Sequence, residues 1–404
     1  MTHTISNHDI QLLVKDEVQL IIRNNENTPV DKLVLKLNGS KLPVHLIADQ
    51  IKCRKKALKK FPTYSTKKLI YESTAFEQSS SEATAILKSR LMNGKRLIDL
   101  TGGLGIDTVT LSNNFNHVVY SEMNPNLVEL FRYNSALFET QNIEINYGDS
   151  IEYLKKYMDK IFDWIYLDPA RRDAGRRSVD LEYCSPNVYE HLDLLKEKSD
   201  NICIKVSPAF DFTEAERKLP GLADYIVVSV NNECKEVLLL IKKKPQTLTK
   251  HAVLLDEFGN ILHEFSIPTD KTYERNIVAK PCKYFYEPDT AIIKSGLTNY
   301  IADKYQLSAI NQSADFLTSN SFINDFPGRT FEAIEVLDYK PNKLNKYFAE
   351  QGIYKANIAK REFPKSVDEI RKELKLKEGG DDYLFLTKDS GGRAIIILTT
   401  KIQN

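Results

Sequence analysis

The chain has 404 residues, of which 42% are hydrophobic and 27% charged, the composition of a globular protein with about two to four domains. A formal net charge of +1 excludes a uniformly basic surface but leaves room for a local basic patch. Five scattered cysteines (Cys53, Cys184, Cys203, Cys234, Cys282) form no CxxC pair, which argues against a cysteine-built zinc site and for a reducing compartment. The N-terminus lacks the apolar core of a signal peptide and no apolar run is long enough to span a bilayer. The expectation is a cytoplasmic protein with neither a metal nor a membrane partner.

Residues 1–92 read as a helical region. Apolar residues recur at helical spacing, as at Ile10, Leu13, Val14 and Val18, and Pro29 and Pro43 punctuate the segment. Between Ile51 and Tyr71 lie eight basic residues and no acid, with Phe61 and Tyr64 interleaved. Within this run Lys55, Lys56 and Lys59 are candidate phosphate contacts, although a solvated helix face accounts for the same pattern. Ser79, Ser80 or Ser81 can cap the helix that follows, and the loop they form precedes the first strand, where such loops often cover a ligand.

Residues 93–245 carry the strongest signal. Leu97-Ile-Asp-Leu100 has the pattern of a buried parallel strand. Thr101, Gly102, Gly103 and Gly105 then turn the chain into a helix opening at Ile106-Asp107. Glycines there let a ligand approach the backbone and permit positive φ. The next strand ends at Glu122-Met123, where a carboxylate is placed to accept hydrogen bonds from both hydroxyls of a ribose. A third strand ends at Asp149-Ser150, a fourth at Asp168-Pro169 and a fifth at Ser207, with helical patterns between them. The sixth and seventh, Tyr225–Val230 and Val237–Ile241, are joined by too few residues for a parallel crossover, so the closing pair is expected to be antiparallel. A ribose-bearing ligand fits, and these features alone leave a nicotinamide dinucleotide and S-adenosylmethionine both open.

Five alternating strands and helices with an antiparallel close resemble the class I S-adenosylmethionine-dependent methyltransferases. The resemblance implies a Rossmann-like, seven-stranded α/β sheet and S-adenosyl-L-methionine as cofactor. It places Asp99, Thr101, Gly102, Gly103, Gly105 and Asp107 along the methionine and ribose, Glu122 and Met123 at the ribose, and Asp149 and Ser150 at the adenine. Asp168, Pro169 and Arg171 fall where that family meets its substrate, with Asp168 orienting the attacking nitrogen and also touching the cofactor. Ala170 and Arg171 replace the proline and aromatic ring found in enzymes that methylate exocyclic amines of bases. Arg171, Arg172, Arg176 and Arg177 crowd the loop after Asp168, where guanidinium forks suit phosphates, and Lys205 ends the fifth strand near the same rim. Pairing with Asp168 is the other role open to Lys205.

The remaining third alternates short strands and helices. Ala252–Phe265 reads as a hairpin around Gly259-Asn260, Ala291–Tyr305 and Val367–Leu374 as helices, and Ala333–Leu337, Tyr383–Thr387 and Ala394–Thr399 as strands. With Glu77–Glu82, Asp168–Arg172, Tyr286-Glu-Pro-Asp289, Phe363-Pro364 and Gly379–Phe385, the chain resembles a bacterial methyltransferase family of four parts. The parts expected here are a helical region (1–92), a methyltransferase core (93–245), a hairpin with a ferredoxin-like α+β piece (246–325) and a THUMP-like domain (326–404). The resemblance implies RNA as partner and methyl transfer to a nitrogen of a base in structured RNA. The alternatives are a methyltransferase acting on protein or a small molecule, and a non-catalytic RNA-binding module on a degenerate core.

Overall fold

Parallel strands need crossovers, and the apolar runs between residues 94 and 206 are spaced to leave a helix in each one. In a computed structural model of the chain, residues 5–37, 39–40, 42–171, 181–244 and 247–402 are described. The chain divides into two units, Met1–Asn231 with Lys235–Thr249 and Leu255–Leu262, and Asn232–Cys234 with Lys250–Leu254 and His263–Asn404.

The first unit is built on strands β1 (Gly94–Asp99), β2 (Phe115–Glu122), β3 (Ile143–Tyr147), β4 (Trp164–Leu167), β5 (Asn201–Val206), β6 (Leu222–Val230) and β7 (Glu233–Lys242). They lie side by side in the order β6-β7-β5-β4-β1-β2-β3. The pairs β1–β2, β1–β4, β2–β3 and β4–β5 are parallel, whereas β7 runs antiparallel to β5, from Asn201 opposite Lys242 to Val206 opposite Val237. This is the α/β sheet with an antiparallel final strand that the short 231–236 connection requires. Because β1 sits between β2 and β4, the chain reverses direction across the sheet beside β1, and ligands of open α/β sheets bind outside the strand ends at such a point.

The helical region packs beside this sheet. Helices α1 (Asn7–Leu13), α2 (Asp16–Asn24), α3 (Val30–Leu37) and α4 (Val44–Lys60) bury Leu13, Ile22, Leu33, Ile47, Ala57 and Phe61 in one cluster that also takes in Leu104, Ile106 and Leu130. The stretch Ile70-Tyr71 belongs to no strand or helix. Its backbone is satisfied by two buried amides: Asn134 accepts from Ile70 N–H at 3.0 Å and donates to Ile70 C=O at 2.8 Å, and Gln50 does the same for Tyr71 at 3.0 and 2.6 Å. Buried main-chain groups need such partners, and here they come from helices rather than a ladder. Helix α5 (Ser73–Gln78) and α6 (Glu82–Leu91) lead into β1, and Ser81 caps α6 by accepting from Thr84 N–H at 3.3 Å.

Helices α7 (Ile106–Ser112), α8 (Pro125–Ala136), α9 (Ser150–Lys155), α10 (Val188–Lys198) and α11 (Phe212–Lys218) complete the crossovers. A hairpin follows, β8 (Thr249–Leu255) and β9 (Ile261–Pro268), turning through Gly259 at φ 81°, and it continues the sheet past β6, so the sheet has nine strands where seven were expected.

The second unit holds β10 (Tyr284–Pro288), β11 (Ser308–Ala309), β12 (Leu317–Ser319), β13 (Gly328–Asp338), β14 (Asn357–Lys360), β15 (Asp382–Lys388) and β16 (Ala394–Lys401) in the order β11-β12-β10-β13-β16-β15-β14. Helices α14 (Pro341–Glu350) and α15 (Val367–Glu373) contribute Leu344, Phe348 and Ile370 to one core, and Phe285, Phe316, Phe331 and Phe385 form a second, aromatic one. The single helix expected over Ala291–Tyr305 is two, α12 (Thr290–Ser295) and α13 (Thr298–Lys304). Gly296 at φ 74° ends the first, a left-handed cap that glycine adopts without strain.

Candidate functional site: a cleft at the strand ends

The carboxyl ends of β1, β2, β3 and β4, with α5, α7 and the start of α10, enclose a cleft of about 780 Å³. That is within the range of sites for cofactor-sized molecules. Asp99, Thr101, Gly102, Gly103, Gly105, Asp107, Glu122, Met123, Asp149, Ser150, Asp168 and Pro169 all line it, so residues spread over seventy positions of sequence meet in one place.

The glycine turn owes its composition to packing as much as to a ligand. A Cβ on Gly102 would lie 2.2 Å from the Tyr120 ring and one on Gly105 2.1 Å from the Phe131 ring. Those two rings stack with centroids 3.8 Å apart under the turn, and Gly105 is left-handed at φ 76°. Gly103 is different. Its φ is 52° and the nearest atom to a built Cβ is Thr101 O at 3.9 Å, so this glycine has the open side.

The acids ending β1, β2 and β3 are each fixed by backbone N–H groups. Glu122 accepts from Gly103 N–H at 2.9 Å and Asn124 N–H at 2.8 Å, one on each oxygen. An ionised carboxylate has about four acceptor positions, so two remain for a ribose. Asp149 caps α9 with Oδ1, accepting from Ile151 and Glu152 N–H at 2.8 and 3.2 Å. Asp99 is 1% exposed and accepts from Thr101 N–H at 3.0 Å and the Thr108 hydroxyl at 2.6 Å. Burial, and then the nearby Asp107 and Asp168 charges, push its carboxyl up to about 7 against the lowering effect of those hydrogen bonds.

At the other end of the cleft, Asp168 Oδ2 is ion-paired with Lys205, and the Thr101 hydroxyl accepts from Asp168 N–H at 2.6 Å. Burial would lower the Lys205 ammonium, but Asp168, Glu236 and Asp107 outweigh it and hold the group above its ordinary value. Of the residues expected to touch substrate, Lys205 is therefore engaged with Asp168, Lys56 is ion-paired with Glu77, and Lys55 and Lys59 are exposed on α4. The Arg171 backbone pairs with Cys184. Its side chain and Arg172, Arg176 and Arg177 lie outside the described residues.

Residues 284–327 match the ferredoxin-like domain family and residues 328–401 the THUMP domain-like family. An uncharacterised S-adenosylmethionine-dependent methyltransferase of Mycobacterium tuberculosis is 21% identical over 84% of this chain and 87% of its own. An uncharacterised RNA methyltransferase of Aquifex aeolicus is 26% identical over 27% of this chain and 23% of its own. The crystal structure of a protein from Porphyromonas gingivalis assigned as a methyltransferase covers 99% of this chain and 100% of its own, with 26% identity and a TM-score of 0.80. Over most of its length this chain is similar to S-adenosylmethionine-dependent methyltransferases and has their class I fold.

Several parts of the cleft were not legible in the sequence. Ser80, one of three serines that might have capped α6, instead donates its hydroxyl to Asp107 at 2.6 Å. His191 and Lys235 also line the cleft and stand in no motif, and Ser207 lines it at the end of the fifth strand. Lys88 and Glu236 are buried beneath the cleft floor, and Lys88 gave the one usable signal, a lysine at helical spacing with Thr84 and Ala85 on the buried face of α6.

Proposed function

We propose that this methyltransferase transfers the methyl group of S-adenosylmethionine to a nitrogen of a base in structured RNA. The observation that carries the reading is the convergence of Asp99, Glu122, Asp149 and Asp168 on a single cleft beside the glycine turn. In that cleft Glu122 takes the ribose hydroxyls, Asp149 the adenine amino group, and Asp99 with the 101–105 turn the methionine end.

A sulfonium needs only a lone pair aligned for in-line attack, so the chemistry asks for positioning more than for a strong base. Lys205 fixes one oxygen of Asp168. The other, without a hydrogen bond among the described residues, accepts one from the attacking N–H and turns its lone pair toward the methyl. Pro169 stiffens the chain there, and Arg171 with Arg172, Arg176 and Arg177 hold substrate phosphates, helped by Lys55 and Lys59 on α4. RNA is favoured as substrate by the THUMP domain-like match and by the Aquifex RNA methyltransferase among the relatives. The test is incubation with tritiated S-adenosylmethionine and unmodified total RNA, followed by digestion to nucleosides. Label in one methylated nucleoside supports the reading, and label surviving only in nuclease-resistant material sinks it.

A further inference from the structure

Under the cleft lies a charged cluster that methyl transfer as described does not use. The Lys88 side chain on α6 has no solvent exposure and that of Glu236 on β7 only 2%. Lys88 Nζ donates to Glu236 Oε1 at 2.7 Å and to Ser80 Oγ at 3.1 Å, and lies 3.2 Å from Asp107 Oδ1. Asp107 Oδ2 accepts from the Ser80 and Tyr166 hydroxyls at 2.6 and 2.7 Å. Two of these groups, Ser80 and Asp107, line the cleft.

The charges in this cluster do not balance. One ammonium faces two carboxylates, and Asp107 Oδ1 is buried with an ion-pair contact but no hydrogen bond of good geometry. The adjoining Lys205–Asp168 pair is neutral by itself, and Asp99 adds a further buried carboxyl. Lys235 also lines the cleft, but it is exposed, where water and salt screen it. A negative excess held away from water is costly unless a cation joins it. The raised carboxyl of Asp99 reports the same excess, since Asp107 and Asp168 both contribute to it after burial.

We propose that Glu236, acting through Lys88 and Asp107, is a specificity-determining residue that biases the cleft toward a sulfonium cofactor over its neutral thioether product. The proposal rests on the reading that the cleft holds S-adenosylmethionine. Methyl transfer removes the positive charge from sulfur, so the excess beneath the floor holds the methyl donor and loosens its grip on S-adenosylhomocysteine. Lys88 makes the arrangement sustainable, because Asp107 and Glu236 without it would repel each other in a dry interior. Neither Lys88 nor Glu236 lines the cleft.

Calorimetric titration of the full chain with S-adenosylmethionine and, separately, S-adenosylhomocysteine tests this. Glu236→Gln keeps the shape and removes one charge. It should weaken the sulfonium ligand while sparing the thioether, shifting the ratio of the two affinities by roughly 3- to 10-fold, the size of one charge acting through partly screened protein. Asp107→Asn should move the ratio the same way, and decides the question if the first variant does not melt as a folded protein. Equal weakening of both ligands, or an unchanged ratio, overturns the proposal and leaves the cluster as a structural brace. A wild-type chain that binds neither ligand overturns the cofactor assignment instead.

Discussion

Asp168 and Asp99 are both carboxylates at strand ends, yet their surroundings give them different work. Asp168 is one-third exposed and ion-paired, whereas Asp99 is sealed in. Asp168→Ala should lower kcat by about 100-fold or more, the scale of losing a positioned hydrogen-bonding group, while S-adenosylmethionine affinity changes less than about threefold. Equal loss of both would remove Asp168 from the transfer step. Asp99 has a folded value raised to about 7 above its unfolded one, so between about pH 4 and 7 the native state binds the extra proton. Its contribution to the stability of the cofactor-free protein is therefore full below that window and is lost as pH rises through 7. Chemical unfolding across pH should show that decline, and Asp99→Asn should flatten it. The glycines differ in the same local way. Gly102→Ala drives a methyl into a stacked ring pair and should cost about 1–3 kcal/mol in a melting experiment. Gly103→Ala meets open space and pays only for its positive φ, about 1 kcal/mol.

The cleft keeps its shape because elements outside the sheet are tied to it. The Ile70-Tyr71 segment is the clearest case, since two amides from α4 and α8 do for it what a neighbouring strand would otherwise do. Asn134→Ala leaves a buried N–H and a buried C=O unpaired and should cost roughly 2–5 kcal/mol. Asn134→Asp keeps the acceptor and loses the donor, so in denaturant titration it should fall between the wild type and the alanine variant. Lys60 braces the same region differently. Its ammonium donates to the Phe76 and Glu77 carbonyls at the end of α5, just before the cleft-lining Gln78, Ser79 and Ser80. Burial first, and then Lys205, Lys235 and Lys56 against the opposing pull of Glu77, bring Lys60 down to about 8. Part of the basic run in residues 51–71 is thus spent on holding the loop that lines the cleft rather than on reaching outward.

Taken whole, the molecule joins a unit that holds the cleft to a unit with two cores of its own. If RNA is the substrate, phosphate contacts should make methyl incorporation fall steeply as salt rises from 50 to 200 mM, because each contact releases a condensed counterion. Binding of the cofactor alone should change little over the same range. Lys55→Glu with Lys59→Glu, both on exposed positions of α4, should raise KM for RNA and leave cofactor affinity intact. A KM unmoved by the double substitution would confine phosphate recognition to other surfaces.

What the sequence determined by itself was local and periodic. The apolar runs, the glycine turn, the acids at strand ends and the short 231–236 link carried the fold class, the antiparallel last strand and the residues of the cleft wall, because each is set by spacing along the chain. Only the tertiary structure decided which polar side chains found one another. Lys88 with Glu236, Ser80 with Asp107, Lys205 with Asp168 and Asn134 with Ile70 join positions from 27 to 148 residues apart. Of these pairs only Lys205 with Asp168 was open to the sequence, as one of two roles for that lysine. They form because a polar group buried by folding must meet a partner, and which partner it meets depends on how the elements pack.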